Sequence, residues 1–281
     1  MKKVISASRR TDLVAFFPEW FASVLRKEEA IVHGPSGHTY TVDLSPDVVH
    51  SVVLWSKNFG NVIDNRLGLR DLLHKYDQVY LHFTVTGLGK TVIESGVPSS
   101  RSALRQLPDL VDFVGTAERI TVRFDPIVYW KEKGGISTNL RKFEHMAQYL
   151  HKTGITDVRI SFAQWYKKAK KRAEKFNFSY VDPPEERKLE DARFLARIAR
   201  EWGIDLYSCS QDLLAEIPGI RPSSCIDGLL LQKLHPDKAR VSTAKDGTQR
   251  TECRCTKSVD IGSYTQFCPH SCLYCYANPK T

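Results

Sequence analysis

Arg119-Ile120-Thr121-Val122-Arg123-Phe124-Asp125-Pro126-Ile127 is the stretch that decides the fold. The run is short, and its apolar members are mostly β-branched or aromatic, which suits a strand covered on both faces rather than a helix. It closes on charged groups and a proline. Working outward, residues 3–8, 51–56, 79–86, 157–162 and 205–209 repeat the pattern, and residues 257–261 form a less apolar seventh run. Helix-compatible stretches lie between them at residues 19–27, 61–75, 100–114 and 140–152. A strongly amphipathic one follows at residues 185–202, started by Pro183-Pro184 and stopped by Gly203. This alternation predicts βα units around a parallel sheet, an α/β fold closed as a barrel or partial barrel. A hairpin, residues 30–33 and 39–43 around Pro35-Ser36-Gly37, decorates the first unit. No repeat or linker divides the chain. Residues 1–281 therefore read as one domain, with residues 209–281 as its cysteine-rich segment.

Polar groups collect where the runs end: Ser6 to Asp12, Trp55 to Asn58, Thr84 to Gly87, Arg123 to Pro126, Ser161 to Gln164 and Ser208 to Gln211. Parallel sheets bind ligands at the carboxyl ends of their strands, so these groups predict one polar mouth. A structural role, with Arg123 paired to Asp125 and the rest capping helices, accounts for the same residues.

Composition narrows the class. With 42% hydrophobic and 26% charged residues the chain is an ordinary globular protein rather than a disordered one. No apolar run approaches the ~20 residues that span a bilayer. The start, Met1-Lys2-Lys3-Val4-Ile5-Ser6, lacks a secretory hydrophobic stretch, and the expected location is cytoplasmic. The net charge of +9 admits an anionic partner such as nucleic acid. Much of the excess sits at Lys167, Lys168, Lys170, Lys171, Arg172 and Lys175, which reads equally well as a solvated face.

Cysteine placement says more. All seven lie between Cys209 and Cys275, and clusters with two- and three-residue gaps in a reducing compartment point to metal ligands rather than disulfides. Cys268-Pro269-His270-Ser271-Cys272-Leu273-Tyr274-Cys275 brings three thiolates onto one short loop, enough for three corners of a cubane iron–sulfur cluster with one iron left open. Pro269 forbids a regular helix at Cys268. Structural zinc normally wants four protein ligands, and His270, inside the three-residue gap, is poorly placed to be the fourth. Cys209, Cys225, Cys253 and Cys255 remain. Four thiolates close a site completely, so a second four-iron cluster and a structural zinc are both open readings, as are buried free thiols.

The whole chain resembles a bacterial and archaeal family known as domain of unknown function 1848. The likeness is carried by Ile5-Ser6-Ala7-Ser8-Arg9-Arg10-Thr11-Asp12, Ser45-Pro46-Asp47, Trp55-Ser56-Lys57-Asn58, Arg123-Phe124-Asp125-Pro126 and Ser224-Cys225-Ile226-Asp227. It continues in the closing run from Ser258-Val259-Asp260-Ile261-Gly262 to Asn278. That family brings no reaction with it. The three-cysteine loop, with Tyr274 in its aromatic slot, is similar to the Cys-x3-Cys-x-aromatic-Cys loop of radical S-adenosylmethionine (radical SAM) enzymes. There the loop follows the first strand, so the resemblance implies a circularly permuted barrel, with residues 257–261 in the place of the first strand and residues 3–8 beside them. The superfamily's Gly-Gly-Glu stretch has no counterpart, since Gly134-Gly135 runs into Ile136.

What this second resemblance implies is a 4Fe-4S cluster on Cys268, Cys272 and Cys275. It would bind S-adenosylmethionine and generate a 5′-deoxyadenosyl radical on an unknown substrate, fed by an electron donor such as a flavodoxin or ferredoxin. Tyr274 and Tyr276 are then candidates for packing near the adenine. Arg123, Lys57 and Arg9 are candidates for meeting carboxylate or phosphate groups. Residues 164–184, long and basic, read as a lid or substrate loop. Two other classes fit the same residues: an electron-transfer or redox-sensing iron–sulfur protein without S-adenosylmethionine chemistry, and a zinc-stabilised nucleic-acid-binding protein.

Overall fold

Each β-branched run becomes a strand, and a computed structural model describes residues 1–34, 37–277 and 279–280. The strands are β1 (Lys3–Ala7), β2 (Glu29–His33), β3 (Thr39–Asp43), β4 (Val49–Ser56), β5 (Val79–Thr84), β6 (Ile120–Ile127), β7 (Tyr129–Glu132), β8 (Gly135–Thr138), β9 (Asp157–Phe162), β10 (Tyr180–Val181), β11 (Asp205–Ser208), β12 (Ile220–Pro222) and β13 (Val259–Asp260). Eight of them form one sheet in the order β12-β11-β9-β6-β5-β4-β1-β13. Every neighbouring pair in it is parallel. The order rises along the chain without a reversal, except that the last strand sits outside the first. Ile5 pairs with Val259 and Ser6 with Asp260, the neighbourhood expected for residues 257–261.

The two faces of the sheet differ. Ile5, Ala7, Val52, Leu54, Leu81, Phe83, Val122, Phe124, Val158 and Ile160 face the helices and join Phe21, Leu73, Leu110, Phe143 and Leu195 in the main core. The alternate positions, Ser6, Trp55, His82, Arg123 and Arg159, turn to the other face. Nearer the strand starts that face is covered by Ile226, Leu231 and Val241 packed on Val4, Val53 and Tyr80. A polar face on a parallel sheet costs desolvation unless each group is paired. His82 meets the Cys225 carbonyl at 2.6 Å, Trp55 donates to Ser6 at 3.1 Å, and Arg159 donates to the Ser224 carbonyl.

Several expectations need correction. The helix expected over residues 61–75 is broken into Gly60–Ile63, Arg66–Gly68 and Leu69–Leu73, because Asn65, Leu67 and Gly68 adopt left-handed backbone. That over residues 100–114 divides into Ser100–Leu104 and Leu107–Val114, since Pro108 has no N–H to continue the earlier turn. The expected lid, residues 164–184, is not a loop. It contains helix Lys167–Lys175 and β10, which pairs with β7 in a small sheet β10-β7-β8 that the sequence did not suggest. Ala169 and Ala173 of this helix pack on Trp165 and Ile93. Its lysines are exposed, whereas Arg172 is buried. The hairpin β2–β3 forms outside the main sheet, its Pro35-Ser36 turn lying outside the described residues. Among the described residues no helix is long and apolar enough to cross a membrane.

Candidate metal and cofactor site

The carboxyl ends of β1, β4, β5, β6, β9 and β11 open on one cavity of about 280 Å3, a size near the lower end for small-molecule sites. All seven cysteines line it, and so do Arg9, Lys57, Arg123, Tyr274 and Tyr276. One cavity thus gathers every site candidate named from the sequence, although they span residues 9 to 276.

The three-cysteine loop is held from four directions. From below, His270 is buried and uses both ring nitrogens: Nε2 meets Asp12 Oδ2 at 2.8 Å and Nδ1 meets the Gly96 carbonyl at 3.1 Å. Asp12 also accepts from Ser56, from the Lys57 N–H at 2.9 Å and from the Ala15 N–H at 2.9 Å, tying β1 and β4 to the loop. From the side, residues after β5 press close. Leu273 donates to the Ile93 carbonyl at 3.0 Å, and a Cβ on Gly96 would meet the Pro269 carbonyl at 2.5 Å, so only glycine fits there. From above, the Arg172 guanidinium donates to the carbonyls of Leu273 at 2.7 Å, Cys275 at 3.1 Å and Cys272 at 3.4 Å. Finally Tyr274 donates to Glu94, which also takes Lys57 Nζ at 2.8 Å.

The donors are three thiols and nothing more. With both nitrogens engaged, His270 does not serve as a fourth ligand, and among the described residues no three His, Cys, Asp or Glu side chains are grouped to hold a single metal ion. A cubane differs, because each thiolate binds its own iron and the donors stand further apart. Three cysteines on one loop beside a cavity fit that demand. Burial pushes the Cys268 thiol up to about 12 and raises Cys272 and Cys275 as well. A buried thiolate therefore needs an incoming cation, and metal binding releases protons.

The cations named from the sequence are already partnered. Lys57 is largely buried, which pulls its pKa down most strongly, but Glu94, Cys272 and Asp125 together raise it above the ordinary value and keep the ammonium protonated. Arg9 donates to Ser258 at 2.8 Å and lies near Asp246 and Asp260. Arg123 bonds Asp125 and donates to Cys225 Sγ at 2.8 Å, beneath Trp55, itself stacked on His82 at 4.1 Å. Tyr276 stays 58% exposed at the mouth, edge-on to Tyr166 and under Arg250. Sequence reasoning gave no role to Asp12, Glu94, Gly96 or Asp260, although Asp12 and Asp260 stand inside the quoted motifs. Asp260 accepts from Ser6 at 2.8 Å, Ser8 at 2.7 Å and the Arg9 N–H at 2.9 Å, sealing β13 to β1.

Residues 4–277 match the model of a family described as domain of unknown function, DUF1848. No curated protein matches the chain.

Proposed function

We propose that this chain, which belongs to the DUF1848 family, is an iron–sulfur enzyme of the radical SAM kind whose parallel sheet closes as a permuted barrel. One observation carries the reading: Cys268, Cys272 and Cys275 line a cavity at the strand ends, while the neighbouring His270 is turned away onto Asp12 and Gly96. The placement of β13 beside β1, at one edge of an eight-stranded parallel sheet whose other edge is β12, supports a first unit that has moved to the end of the chain. Held by Cys268, Cys272 and Cys275, a three-ligand cluster would supply, with S-adenosylmethionine and one electron from an external donor such as a flavodoxin or ferredoxin, radical chemistry at a carbon–hydrogen bond of a substrate.

The chain's own residues do the rest. Cys268, Cys272 and Cys275 bind; Arg172 and the Asp12–His270 pair fix the loop that carries them. Glu94, paired with Lys57, anchors Tyr274 of the loop, and the Tyr166–Tyr276 pair with Arg250 stands at the mouth. Ordered, partnered side chains hold a reactive site in one geometry.

The test is anaerobic reconstitution with iron and sulfide, then dithionite and S-adenosylmethionine, with 5′-deoxyadenosine quantified. The product is expected from loaded protein and absent from Cys272→Ala. Loaded protein giving no product, with a spectrum indifferent to S-adenosylmethionine, would leave the electron-transfer reading in its place. Colourless protein carrying zinc would support the third class.

A further inference from the structure

Cys209 and Cys225 meet at the ends of two neighbouring parallel strands. β11 and β12 pair with Ser208 opposite Pro222, and Cys209 follows directly on Ser208 while Cys225 lies three residues past Pro222. Their sulfurs stand 3.4 Å apart, and both are free thiols. The backbone on each side is pinned. The Cys209 N–H donates to the Ile160 carbonyl at 2.9 Å, and Ser223 donates to the Ser208 carbonyl through its N–H at 3.1 Å and its hydroxyl at 2.8 Å. The Ser224 carbonyl accepts from Arg159, and the Cys225 carbonyl meets His82 Nε2 at 2.6 Å.

A metal does not account for this pair. Cys255 and Cys253 continue the line of sulfur contacts, but among the described residues no three donors are grouped to hold an ion. Touching sulfurs are also too close for the separate corners of a cubane. The contacts therefore do not favour the second metal centre read from these four cysteines. Packing alone does not account for the pair either. Buried free cysteines behave as small apolar side chains. Here sulfur faces sulfur and a guanidinium: Arg123 bonds Asp125 through Nη2 and donates from Nη1 to Cys225 Sγ at 2.8 Å. Cys209 is only partly buried and both residues line the cavity, so a small molecule entering the mouth reaches the pair.

We propose that Cys209 and Cys225 are a reversible dithiol–disulfide couple in the cavity wall, exchanging electrons in pairs with small disulfides and thiols. Oxidation proceeds by two exchanges. The more accessible Cys209 attacks a small disulfide as its thiolate; one small thiolate leaves and a mixed disulfide remains. Cys225 then attacks the Cys209 sulfur, the Cys209–Cys225 bond forms, and the second small thiolate leaves. The two protons lost by the cysteines end on the two small thiols released, and a dithiol reductant runs the same steps backwards. The sulfurs have to close from 3.4 Å to a bond of about 2.0 Å, a movement within reach of side-chain rotation. Where thiols are kept reduced, disulfides are usually transient and either catalytic or redox-sensing, and an accessible pair in a cavity wall is placed for that use.

The couple does not depend on the S-adenosylmethionine reading. Anaerobic wild type, analysed for iron and zinc, is equilibrated with increasing 2-hydroxyethyl disulfide at fixed 2-mercaptoethanol. It is then quenched with N-ethylmaleimide and mapped by non-reducing peptide mass spectrometry, with circular dichroism confirming folded protein. A Cys209–Cys225 linked peptide is expected, with Cys253 and Cys255 alkylated, and dithiothreitol should reverse it. Half-oxidation should need at least about tenfold less disulfide in folded protein than in the same chain in denaturant, because the fold holds the sulfurs in contact. Cys225→Ser should instead trap the mixed disulfide on Cys209. Two alkylated cysteines at the most oxidising point in folded protein overturn the proposal. So does a link from Cys225 to Cys255, the absence of any advantage over the denatured chain, or zinc or iron in wild type that Cys209→Ser loses. If Cys225→Ser does not fold, the wild-type map decides alone.

Discussion

Replacing Arg172 by methionine is the most informative single substitution, because this residue belongs to a basic run yet is buried against the cysteine loop. Methionine keeps most of the aliphatic stem and the packing, while the donors disappear. Two good hydrogen bonds are lost, to Leu273 at 2.7 Å and Cys275 at 3.1 Å, and a third, to Cys272 at 3.4 Å, is marginal. Bonds to charged donors are worth about 1.5–3 kcal/mol each, so the gross loss is about 3–6 kcal/mol. Removing a buried guanidinium returns part of that as relieved desolvation. A net cost of about 2–4 kcal/mol follows, a large share of the ~5–15 kcal/mol that holds a domain folded. A chain of this size should melt about 3–7 °C lower. The damage should centre on the loop. In chelator challenge under nitrogen, iron bound by Cys268, Cys272 and Cys275 should leave Arg172→Met at least tenfold faster than wild type. Lysine at 172 should restore retention only in part: all three carbonyls are met by a single nitrogen, Nη1, and the lysine side chain ends one bond short of that position. Equal iron release with melting within about 1 °C would refute the idea that Arg172 organises the loop.

Other consequences can be measured directly. Glu94→Ala strands the Lys57 ammonium and the Tyr274 hydroxyl, and denaturant titration should show a loss of about 3–5 kcal/mol, partly recovered in Glu94→Ala/Lys57→Met. A wild-type-like midpoint would refute the pairing. His82 is buried and held well below its usual 6.5, first by burial and then by Arg159. The unfolded chain therefore takes up a proton that the folded chain refuses. This contribution to stability is complete above pH 6.5 and falls by about 1.4 kcal/mol per unit as pH drops below it. His82→Gln should flatten that slope between pH 6.5 and 5, and an unchanged slope would contradict the assignment. In reduced, metal-free protein a hydrogen bond from Cys255 pulls the Cys253 thiol down to about 6, whereas burial holds Cys268 near 12. Iodoacetamide with mass mapping should label Cys253 with a half-point near pH 6 and leave Cys268 unlabelled at pH 8. Equal labelling would refute the difference.

Much of this was legible in the residues. The β-branched runs located all seven strands expected in the main sheet, because a strand buried on both faces writes its apolar content locally. The short β12 escaped, since Ile220–Pro222 is too brief to carry a pattern. The candidates of the site were readable too, as thiols and strand-end cations are few and chemically distinctive. Their partners were not. Glu94 and Gly96 sit in an unremarkable stretch after β5 and matter only because the chain's end folds back against it. Arg172 looked like one more surface cation, and its difference from Lys171 is a matter of helix phase against Ala169 and Ala173. Arg123 reads from the sequence both as a group for a ligand anion and as a structural partner of Asp125. The fold shows the Asp125 pair and adds Cys225, a contact between residues 102 positions apart that no local pattern encodes.

The central claim is that Cys268, Cys272 and Cys275 hold a cluster with one iron left for S-adenosylmethionine. The most direct measurement is electron paramagnetic resonance of the reconstituted, dithionite-reduced protein, with and without S-adenosylmethionine, against Cys268→Ala/Cys272→Ala/Cys275→Ala as the control. The account predicts a reduced cluster signal that changes shape when S-adenosylmethionine is added and that is missing from the triple variant. A cluster signal that stays the same at saturating S-adenosylmethionine, or no cluster in iron-loaded folded protein, would contradict it.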